Sequence, residues 1–533
     1  MYKPHLIPSI KFLQFLALFL LAGLLLLQGY LSLGWPIAQD IPLLHYVAFM
    51  MDQHHLVPYR DIFETSMPGT FTFHYFICKL FGYEGQAIRG VDLALLGALL
   101  MISYKFISRF GRLPAIWASI LFGLVYLFQG PSMSLQKDFI GVIPVAVSLL
   151  LIPAESGKPV LWPRFAAAGM LFGLAFLIKP HLVIAFPVAF GTLLIFRWDT
   201  HKKSLTDFMV CALVAAGWWL APIILMAIWM AAHSSLVPFV DIFINYLPMH
   251  NNMTGWHEVL SNSERIPYLA RYTLKLGGYR ILVLCSLFAW FRVMTRTEKN
   301  GANFRSLVCL VLYTFLFALY PTIAGKFWDY HYMPLAYFLA ISVGLSLYRW
   351  PEVPNARLWR QVKEVLPLLV LVAGMTLQLN LPTSTRFLVD VARGQSEIRD
   401  PHEEREGEIA DWLNSHLQPG DTVQPLDWTG GSIHAMLLAE ARLSSRFLYD
   451  YHFYHNISSP YNQALRASFI TQIRQDPPRF VIAVDEGRPW VSGIDTSRDF
   501  PELQRFLSEG YTKALAGKGY DIFERKDLVS VTE

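Results

Sequence analysis

The sequence has little charge. Only 16% of its 533 residues are Asp, Glu, Lys or Arg, against about 25% in soluble proteins. Hydrophobic residues make up 54%, and the mean hydropathy is +0.37. This composition excludes a disordered chain, a fibrous protein and a single water-soluble globule. It predicts a protein that lies largely in a lipid bilayer.

Cysteine is also scarce. The four cysteines lie in or beside apolar stretches, at Cys78, Cys211, Cys285 and Cys309. Neither a disulfide framework nor a zinc-type pairing is expected, and small buried side chains account for them.

Common cofactor and nucleophile motifs are missing. The sequence has no G-x-x-x-x-G-K-[ST], G-x-G-x-x-G, H-E-x-x-H or G-x-S-x-G pattern, which disfavours ATP-driven transport by this chain alone and dinucleotide chemistry. Lys and Arg sit in short loops between apolar runs, so nucleic-acid binding is not expected either.

What the sequence does contain is a series of apolar segments. A membrane-spanning helix needs about 20 mostly apolar residues, and the sequence predicts a polytopic helical bundle of about eleven crossings. The segments are 12–33, 86–104, 113–129, 139–154, 165–178, 182–196, 206–231, 280–294, 306–323, 333–348 and 364–381.

The placement of Lys and Arg orients this bundle. Alternate loops, about 70 residues in total, hold 18 Lys and Arg, and such loops face the cytoplasm. The amino terminus is therefore predicted to be cytoplasmic. Segment 12–33 is predicted to be a retained anchor, because its apolar run is long for a signal peptide and no cleavage pattern follows.

Two long outer loops result, 34–85 and 232–279. In the first, Ile41–Met51 is predicted to lie on the membrane surface, followed by a second amphipathic stretch, Thr70–Phe81.

The charge balance changes near Pro382. Residues 383–533 hold 16 Lys and Arg against 23 Asp and Glu, whereas residues 1–382 hold 28 against 17. The sequence thus predicts a membrane domain at 1–382 and a soluble, extracytoplasmic domain at 383–533. Alternating helix and strand patterns in the latter indicate a small α/β fold.

Polar residues cluster at the predicted outer face, beginning with Asp40. This carboxylate follows the first crossing and lies close to His45. Partial desolvation would raise its basicity and suit a general base. The alternative is an N-cap for the helix at 41–51, a position that Asp favours.

Further along the first loop stand Tyr59, Arg60 and Asp61. The planar guanidinium of Arg60 could bind a phosphate. An ion pair between Arg60 and Asp61, or a lipid headgroup contact, is the alternative.

Two later outer turns also carry charge. Asp138 begins one helix, and Lys179 lies between apolar residues, where a cation is costly unless an anion pairs with it. Snorkelling of Lys179 to the interface is the alternative. Lys326, Asp329 and His331 lie together with four aromatic residues near another outer end. They would suit a phosphate leaving group, or form a structural pair through Asp329.

This set of residues, in this order and on this side of the membrane, resembles the GT-C superfamily of membrane glycosyltransferases. The similarity is closest to bacterial relatives of the dolichyl-phosphate-mannose protein mannosyltransferases and to the aminoarabinose transferases of lipid A. The motifs are Asp40, Pro58–Asp61 with Pro68-Gly69, Lys179-Pro180, and Lys326 with His331–Pro334.

The resemblance implies an enzyme that transfers a hexose or pentose from a polyprenyl-phosphate donor to a cell-envelope acceptor, with inversion. Asp40 matches the first-loop base and Asp138 a second acid. Lys326 and His331 match residues near the donor phosphate, and Arg60 and Lys179 are added as phosphate ligands. His45, Tyr59, Asp61 and Asp329 are candidates for acceptor contacts or loop structure.

No organic cofactor is implied. Many members of the superfamily carry a further acid beside the first-loop Asp, but Ile41 follows here, so a divalent metal, Mg²⁺ or Mn²⁺, stays open. The expected location is the inner membrane of a bacterium, with the carboxy-terminal domain in the periplasm. A lipid or solute transporter and a non-catalytic sensor or assembly protein are the other hypotheses.

Overall fold

A computed structural model describes residues 10–83, 85–251, 262–275, 279–299, 301–324, 327–348, 401–428, 430–485 and 494–529. The chain divides into two compact units. The first comprises Met1–Trp35, Arg89–Ile223 and Asn262–Ser396; the second comprises Pro36–Ile88, Ile224–Ser261 and Glu397–Glu533. The predicted boundary near Pro382 lies outside the described residues.

The regular secondary structure in the described part of the first unit is all helical. Its helices are α1 (Ile10–Leu31), α4 (Gly85–Ile107), α5 (Arg112–Phe128), α6 (Lys137–Leu150), α7 (Trp162–Ile178), α8 (Phe186–Arg197), α9 (Leu205–Ala232), α12 (Asn262–Lys275), α13 (Tyr279–Met294), α14 (Ala302–Ala324) and α15 (Met333–Gly344). The first turn of α4 and the last turns of α9 belong to the second unit.

Ten of the eleven predicted segments coincide with these helices, and the eleventh, 364–381, lies outside the described residues. Five helical stretches are long and apolar enough to cross a membrane: Phe15–Gly34, Gly85–Phe110, Pro180–Arg197, Leu205–Ala232 and Ala302–Ile323. Three shorter helices are also apolar: Arg112–Phe128, Trp162–Ile178 and Ile281–Met294. A polytopic helical membrane protein is therefore confirmed, while the number of crossings stays a prediction.

Helix α15 forms the centre of the first unit. Every residue from Met333 to Gly344 is buried, and α15 packs against α5, α13 and α14. A helix that is apolar on all sides has no polar face to turn outward, which explains its burial.

Helices α7 and α9 approach each other closely at Gly169. A Cβ atom built there would lie 2.1 Å from the carbonyl oxygen of Ala215. Small residues at helix contacts of this kind let membrane helices pack backbone to backbone.

The second unit combines segments of the two long outer loops with the carboxy-terminal chain. From the loops come α2 (Ile41–Gln53), α3 (Pro68–Phe81), α10 (Leu236–Asp241), a π-helical turn (Ile242–Tyr246) and α11 (Leu247–Asn251). The carboxy-terminal chain adds α16 (Pro401–His416), β1 (Thr422–Leu426), α17 (Ser432–Leu438), β2 (Arg442–Leu443), α18 (Pro460–Gln475), β3 (Phe480–Val484), α19 (Pro501–Gly510), β4 (Tyr511–Gly517), β5 (Tyr520–Arg525) and α20 (Lys526–Val529).

The strands form one sheet in the order β2-β1-β3-β5-β4. Strands β2, β1 and β3 are parallel, while β3, β5 and β4 are antiparallel. This confirms the predicted small α/β fold. Pro425 lies within β1 and has no N–H to donate to a neighbouring strand. Strand β2 pairs only with Thr422 and Val423, so it ends before it reaches the proline.

The prediction that 41–51 lies on the membrane surface is wrong. Helix α2 forms, but nine of its residues, including His45 and Tyr46, are buried. It packs between α3 and α17, and the Tyr46 hydroxyl donates to the carbonyl oxygen of Ala441 at 2.7 Å. The carboxy-terminal chain therefore covers the surface that the sequence assigned to lipid.

Candidate functional site

Lys179 stands where α7 ends. The helix stops at Ile178, and Lys179 adopts an extended conformation with φ −157° and ψ 109°. Pro180 follows and disfavours helical geometry in the residue before it. A 3₁₀ turn, Pro180–Ala185, then leads into α8. The proline thus sets Lys179 at a break between two helices.

The ammonium group of Lys179 meets a buried acid there. Its Nζ donates to Oδ2 of Asp138 at 2.7 Å, and the hydroxyl of Tyr320 donates to Oδ1 of the same carboxylate at 2.5 Å. Asp138 is fully buried, while the Lys179 side chain is 14% exposed. Asp138 lies in the first turn of α6, where the helix dipole also stabilises a negative charge.

Aromatic rings enclose the same ammonium. The Lys179 Nζ lies 5.4 Å from the ring centroid of Tyr320 and 5.6 Å from that of Tyr330. Such contacts strengthen when water is excluded. His331 is buried with its ring centroid 4.7 Å from that of Tyr330 and 6.4 Å from that of Tyr320.

The structure thus brings together three of the predicted residues of the first unit, Asp138, Lys179 and His331. Asp329 begins the 3₁₀ turn that carries His331 and is exposed. Lys326 lies outside the described residues. Tyr320 was missed by the sequence analysis, because a tyrosine near the end of an apolar helix is ordinarily read as part of an interfacial aromatic belt.

In the second unit, Asp40 directly precedes α2. Its side chain makes no capping hydrogen bond to the helix, so the alternative N-cap role is not formed. The Asp40 charge instead contributes to a raised pKa of Tyr451, for which burial is the largest cause and the Glu64 charge the second. Asp40 therefore acts electrostatically on a tyrosine of the carboxy-terminal chain.

Arg60 and Asp61 form the ion pair that the sequence left open. The Arg60 Nε and Nη2 donate to the two carboxylate oxygens of Asp61 at 2.9 and 2.7 Å. The Arg60 Nη1 donates to the carbonyl oxygen of His233 at 3.1 Å. Burial, the largest single effect, raises the pKa of Asp61, but the hydrogen bonds from Arg60 and the Val57 N–H, with the charges of Arg60 and Arg446, outweigh it and lower the pKa overall.

Tyr59 and His45 both face the interior of the second unit. Tyr59 takes a left-handed backbone conformation, with φ +70°, and its hydroxyl donates to the carbonyl oxygen of Ser66 at 2.6 Å. Neither ring nitrogen of His45 has a hydrogen-bond partner in the described part of the chain. Burial, with the His434 charge second, lowers the pKa of His45 to about 3.

Two buried polar residues, Glu64 and Tyr246, were missed by the sequence analysis. Glu64 accepts hydrogen bonds from the backbone N–H and the hydroxyl of Ser66 at 3.1 and 3.0 Å. The Tyr246 hydroxyl and Nδ1 of His452 share a hydrogen bond. Burial is the largest cause of the raised pKa of Tyr246, and the Glu64 charge also contributes. A lone Glu among aromatic residues gave no spacing signal in the sequence.

The structure also buries polar residues of the carboxy-terminal chain. Asp450, His452 and His455 are buried. Burial, with the His455 charge second, lowers the pKa of His452 to about 3. Arg442 is exposed, and Nη2 of Arg446 donates to the carbonyl oxygen of Tyr59 at 2.9 Å.

Metal ligands do not gather at either cluster. Among the residues that the structure describes, no group of three His, Cys, Asp or Glu side chains is placed to hold a metal ion.

Comparison with known proteins places this fold. No family model matches the sequence, and no curated protein matches it. Among solved structures, ArnT from Cupriavidus metallidurans bound to undecaprenyl phosphate aligns with a TM-score of 0.59 and 12% identity, over 95% of this chain and 97% of that chain. The same protein in the apo state gives 0.58 and 13%, with the same coverage.

A third solved structure, the archaeal oligosaccharyltransferase AglB from Archaeoglobus fulgidus in complex with an inhibitory peptide and a dolichol-phosphate, gives a TM-score of 0.48 and 12% identity. The match covers 97% of this chain and 75% of that chain. At such identities the likeness to ArnT shows the fold alone: this chain has an ArnT-like fold.

Proposed function

We propose that the chain transfers a sugar from a polyprenyl-phosphate donor to a hydroxyl of a cell-envelope acceptor, with inversion at the anomeric carbon. The acceptor is a glycolipid, a polysaccharide or a protein. The reaction takes place at the outer face of the inner membrane, with the amino terminus in the cytoplasm.

One observation carries this proposal, the Lys179 ammonium enclosed by Asp138 and two tyrosine rings. A cation held at a helix break with little access to water interacts strongly with an anion. The likeness in fold to an ArnT chain bound to undecaprenyl phosphate supports a lipid phosphate as that anion. His331, Arg60 and Lys326 are proposed as further phosphate ligands.

The proposed chemistry needs a base and a stabilised leaving group. The acceptor oxygen attacks the anomeric carbon, and the bond from that carbon to the phosphate oxygen breaks. The carboxylate of Asp40 takes the hydroxyl proton of the acceptor, and the departing electron pair stays on the polyprenyl phosphate. The transition state has oxocarbenium character, as in glycoside hydrolysis, and no ATP is needed because the phosphate ester is already activated.

The remaining candidates take supporting parts in this proposal. His45 and Tyr59 are buried, so they are assigned to holding the first outer loop. Asp61, which is partly exposed, holds Arg60, and Asp329 is assigned to the acceptor side. Asp138 is proposed to position Lys179 and to balance its charge before the donor binds.

The test is transfer from labelled polyprenyl-phosphate sugars in membranes that contain the protein. Asp40→Asn should lower turnover by about 10²-fold or more, the effect expected for loss of a general base. Asp52→Asn is the matched control, since Asp52 lies in the same predicted outer loop and pairs with Lys79, whose side chain is 52% exposed; it should leave turnover near that of the wild type.

Two results would contradict the proposal. Transfer that survives Asp40→Asn undiminished would remove Asp40 as the base. Movement of the labelled lipid across the membrane without cleavage of its sugar–phosphate bond would indicate a transporter instead.

A further inference from the structure

The second long outer loop exposes an unusual apolar surface. Helical residues run without a break from Leu236 to Asn251, and Val237, Val240 and Ile244 are 79%, 43% and 65% exposed. Spacings of three and four residues place side chains on one face of a helix. We call these three residues the apolar stripe.

The opposite side of the same helix is buried in the second unit. Ile242 and Tyr246 are buried there, and Tyr246 shares its hydrogen bond with His452. At the start of the helix, the hydroxyl of Ser235 donates to the carbonyl oxygen of Pro58. The helix is therefore fixed in orientation, and the apolar stripe points away from the unit that holds it.

Polar side chains run beside the apolar stripe and are tied to the carboxy-terminal chain. Asp241 accepts hydrogen bonds from Nδ2 of Asn245 and from the hydroxyl of Tyr461, each at 2.7 Å. A surface helix in water normally turns its polar residues outward. Here the apolar stripe is exposed beside the exposed Asp241 and Asn245, so the outer side of the helix is part apolar and part polar, which is the arrangement of a helix that lies between lipid and water.

The apolar stripe continues the exposed surface of a membrane span. Helix α9 is long and apolar enough to cross a bilayer and ends at Ala232. Leu225, Ile228 and Trp229 near its end are exposed, and only residues 233–235 separate it from the next helix. Tryptophan is enriched where lipid meets water, so the chain leaves the bilayer next to the apolar stripe.

We propose that residues 236–251 form an interfacial helix, with the apolar stripe seated among the acyl chains of the outer-leaflet phospholipids. Because Tyr246 lies on the buried side, this contact fixes the depth at which the Tyr246–His452 pair stands relative to the membrane. The inference concerns a lipid contact and does not depend on sugar transfer.

Depth measurements test this on the full-length protein in phospholipid vesicles. A nitroxide is attached at Val240→Cys or Ile244→Cys. The measured quantity is the ratio of its collision rate with oxygen, which concentrates in lipid, to its collision rate with a water-soluble nickel complex. Leu225→Cys supplies the lipid reference and the exposed Gln504→Cys the water reference. The native cysteines are buried and should label weakly. Wild-type protein treated with the same nitroxide reagent measures this background.

We expect the oxygen-to-nickel collision ratio at both stripe positions to exceed that at Gln504→Cys severalfold and to approach that at Leu225→Cys. A ratio equal to that at Gln504→Cys would show a stripe in water and overturn the proposal. Two further outcomes would also overturn it. The first is a lipid-like collision ratio that appears only after polyprenyl phosphate is added, which would indicate that the stripe lines a groove for the donor. The second is spin–spin broadening that disappears on dilution with unlabelled protein, which would indicate that a second copy of the chain covers the stripe.

Discussion

Lys179 donates to Asp138 across 2.7 Å in a pair whose carboxylate is fully buried. The second oxygen of that carboxylate accepts from Tyr320, so both oxygens are engaged. Removing one partner of such a pair leaves the other charge without compensation in a poorly solvated place, which costs far more than the pair itself contributes.

Asp138→Asn is therefore expected to lower the free energy of unfolding. The loss should be about 3 kcal/mol, at the lower end for a broken buried pair because Lys179 keeps some access to water. Thermal unfolding of the purified protein in detergent measures it. The double variant Asp138→Asn with Lys179→Met should regain most of the lost stability, since no charge is left unpaired. It should lack transfer activity, because Lys179 is a proposed phosphate ligand.

The pair between Lys158 and Glu155 supplies the control. Both side chains are more than half exposed, and exposed pairs contribute little, so Glu155→Gln should leave the unfolding temperature unchanged. If Asp138→Asn behaved in the same way, the enclosed charge pair would not be an important source of stability.

Acid is expected to destabilise the second unit through His45. Its pKa in the folded protein is about 3, below the ordinary value of about 6.5, so between these values the unfolded chain binds a proton that the folded chain does not. The stabilisation is complete above pH 6.5 and decreases as the pH falls towards 3. By linkage, one such histidine lowers the free energy of unfolding by about 2 kcal/mol between pH 7 and pH 5.

His45→Phe tests this pH dependence. The substitution keeps a ring beside His74, whose centroid lies 5.2 Å away, and removes one titrating group. His434, which pairs with Glu406, remains, as does His452. Melting curves at pH 7 and pH 5 should show a smaller loss in the variant than in the wild type. An identical loss in both would assign the acid sensitivity to other groups.

The sequence predicted the helices well because the length of an apolar run reports directly on a spanning helix. It failed for α2, whose apolar face is covered by α17 from the far end of the chain. An amphipathic segment looks the same whether lipid or a distant helix covers it. The partner of such a surface is a tertiary property that local sequence does not encode.

In the candidate site, too, some residues could be identified from the local sequence and others only from tertiary contacts. Asp138, Lys179 and His331 could be found because charges are costly next to apolar residues. Glu64 and Tyr246 could not, because their surroundings are formed by residues far apart in the sequence, such as His452. For Arg60 the sequence left a phosphate contact and an ion pair open, and the structure contains the pair with Asp61.

Gly169→Val is expected to weaken the contact between α7 and α9. Any Cβ atom at this position would come 2.1 Å from the carbonyl oxygen of Ala215, and backbone cannot move aside as a side chain can. Overpacking of this kind costs about 1–3 kcal/mol. The measurement is the unfolding temperature together with the fraction of monodisperse protein in detergent.

Gly217→Ala serves as the matched change in the facing helix. No atom lies within 4 Å of a Cβ built there, and alanine is the better helix former. This variant should keep or slightly raise the unfolding temperature. Equal behaviour of the two variants would mean that the close approach at Gly169 is not required for folding.

Two carboxylates of the second unit, Asp40 and Glu64, both raise the pKa of Tyr451, after the larger effect of burial. Oε1 of Glu64 already accepts two hydrogen bonds from Ser66, so this oxygen is engaged, and Asp40 is the proposed base. Asp40→Asn should therefore lower turnover by about 10²-fold or more. Glu64→Gln, whose amide oxygen can still accept from Ser66, should keep turnover well above that of Asp40→Asn. Initial rates over a range of donor concentrations separate turnover from donor KM. The reverse order, with Glu64→Gln inactive and Asp40→Asn active, would transfer the role of the base to Glu64.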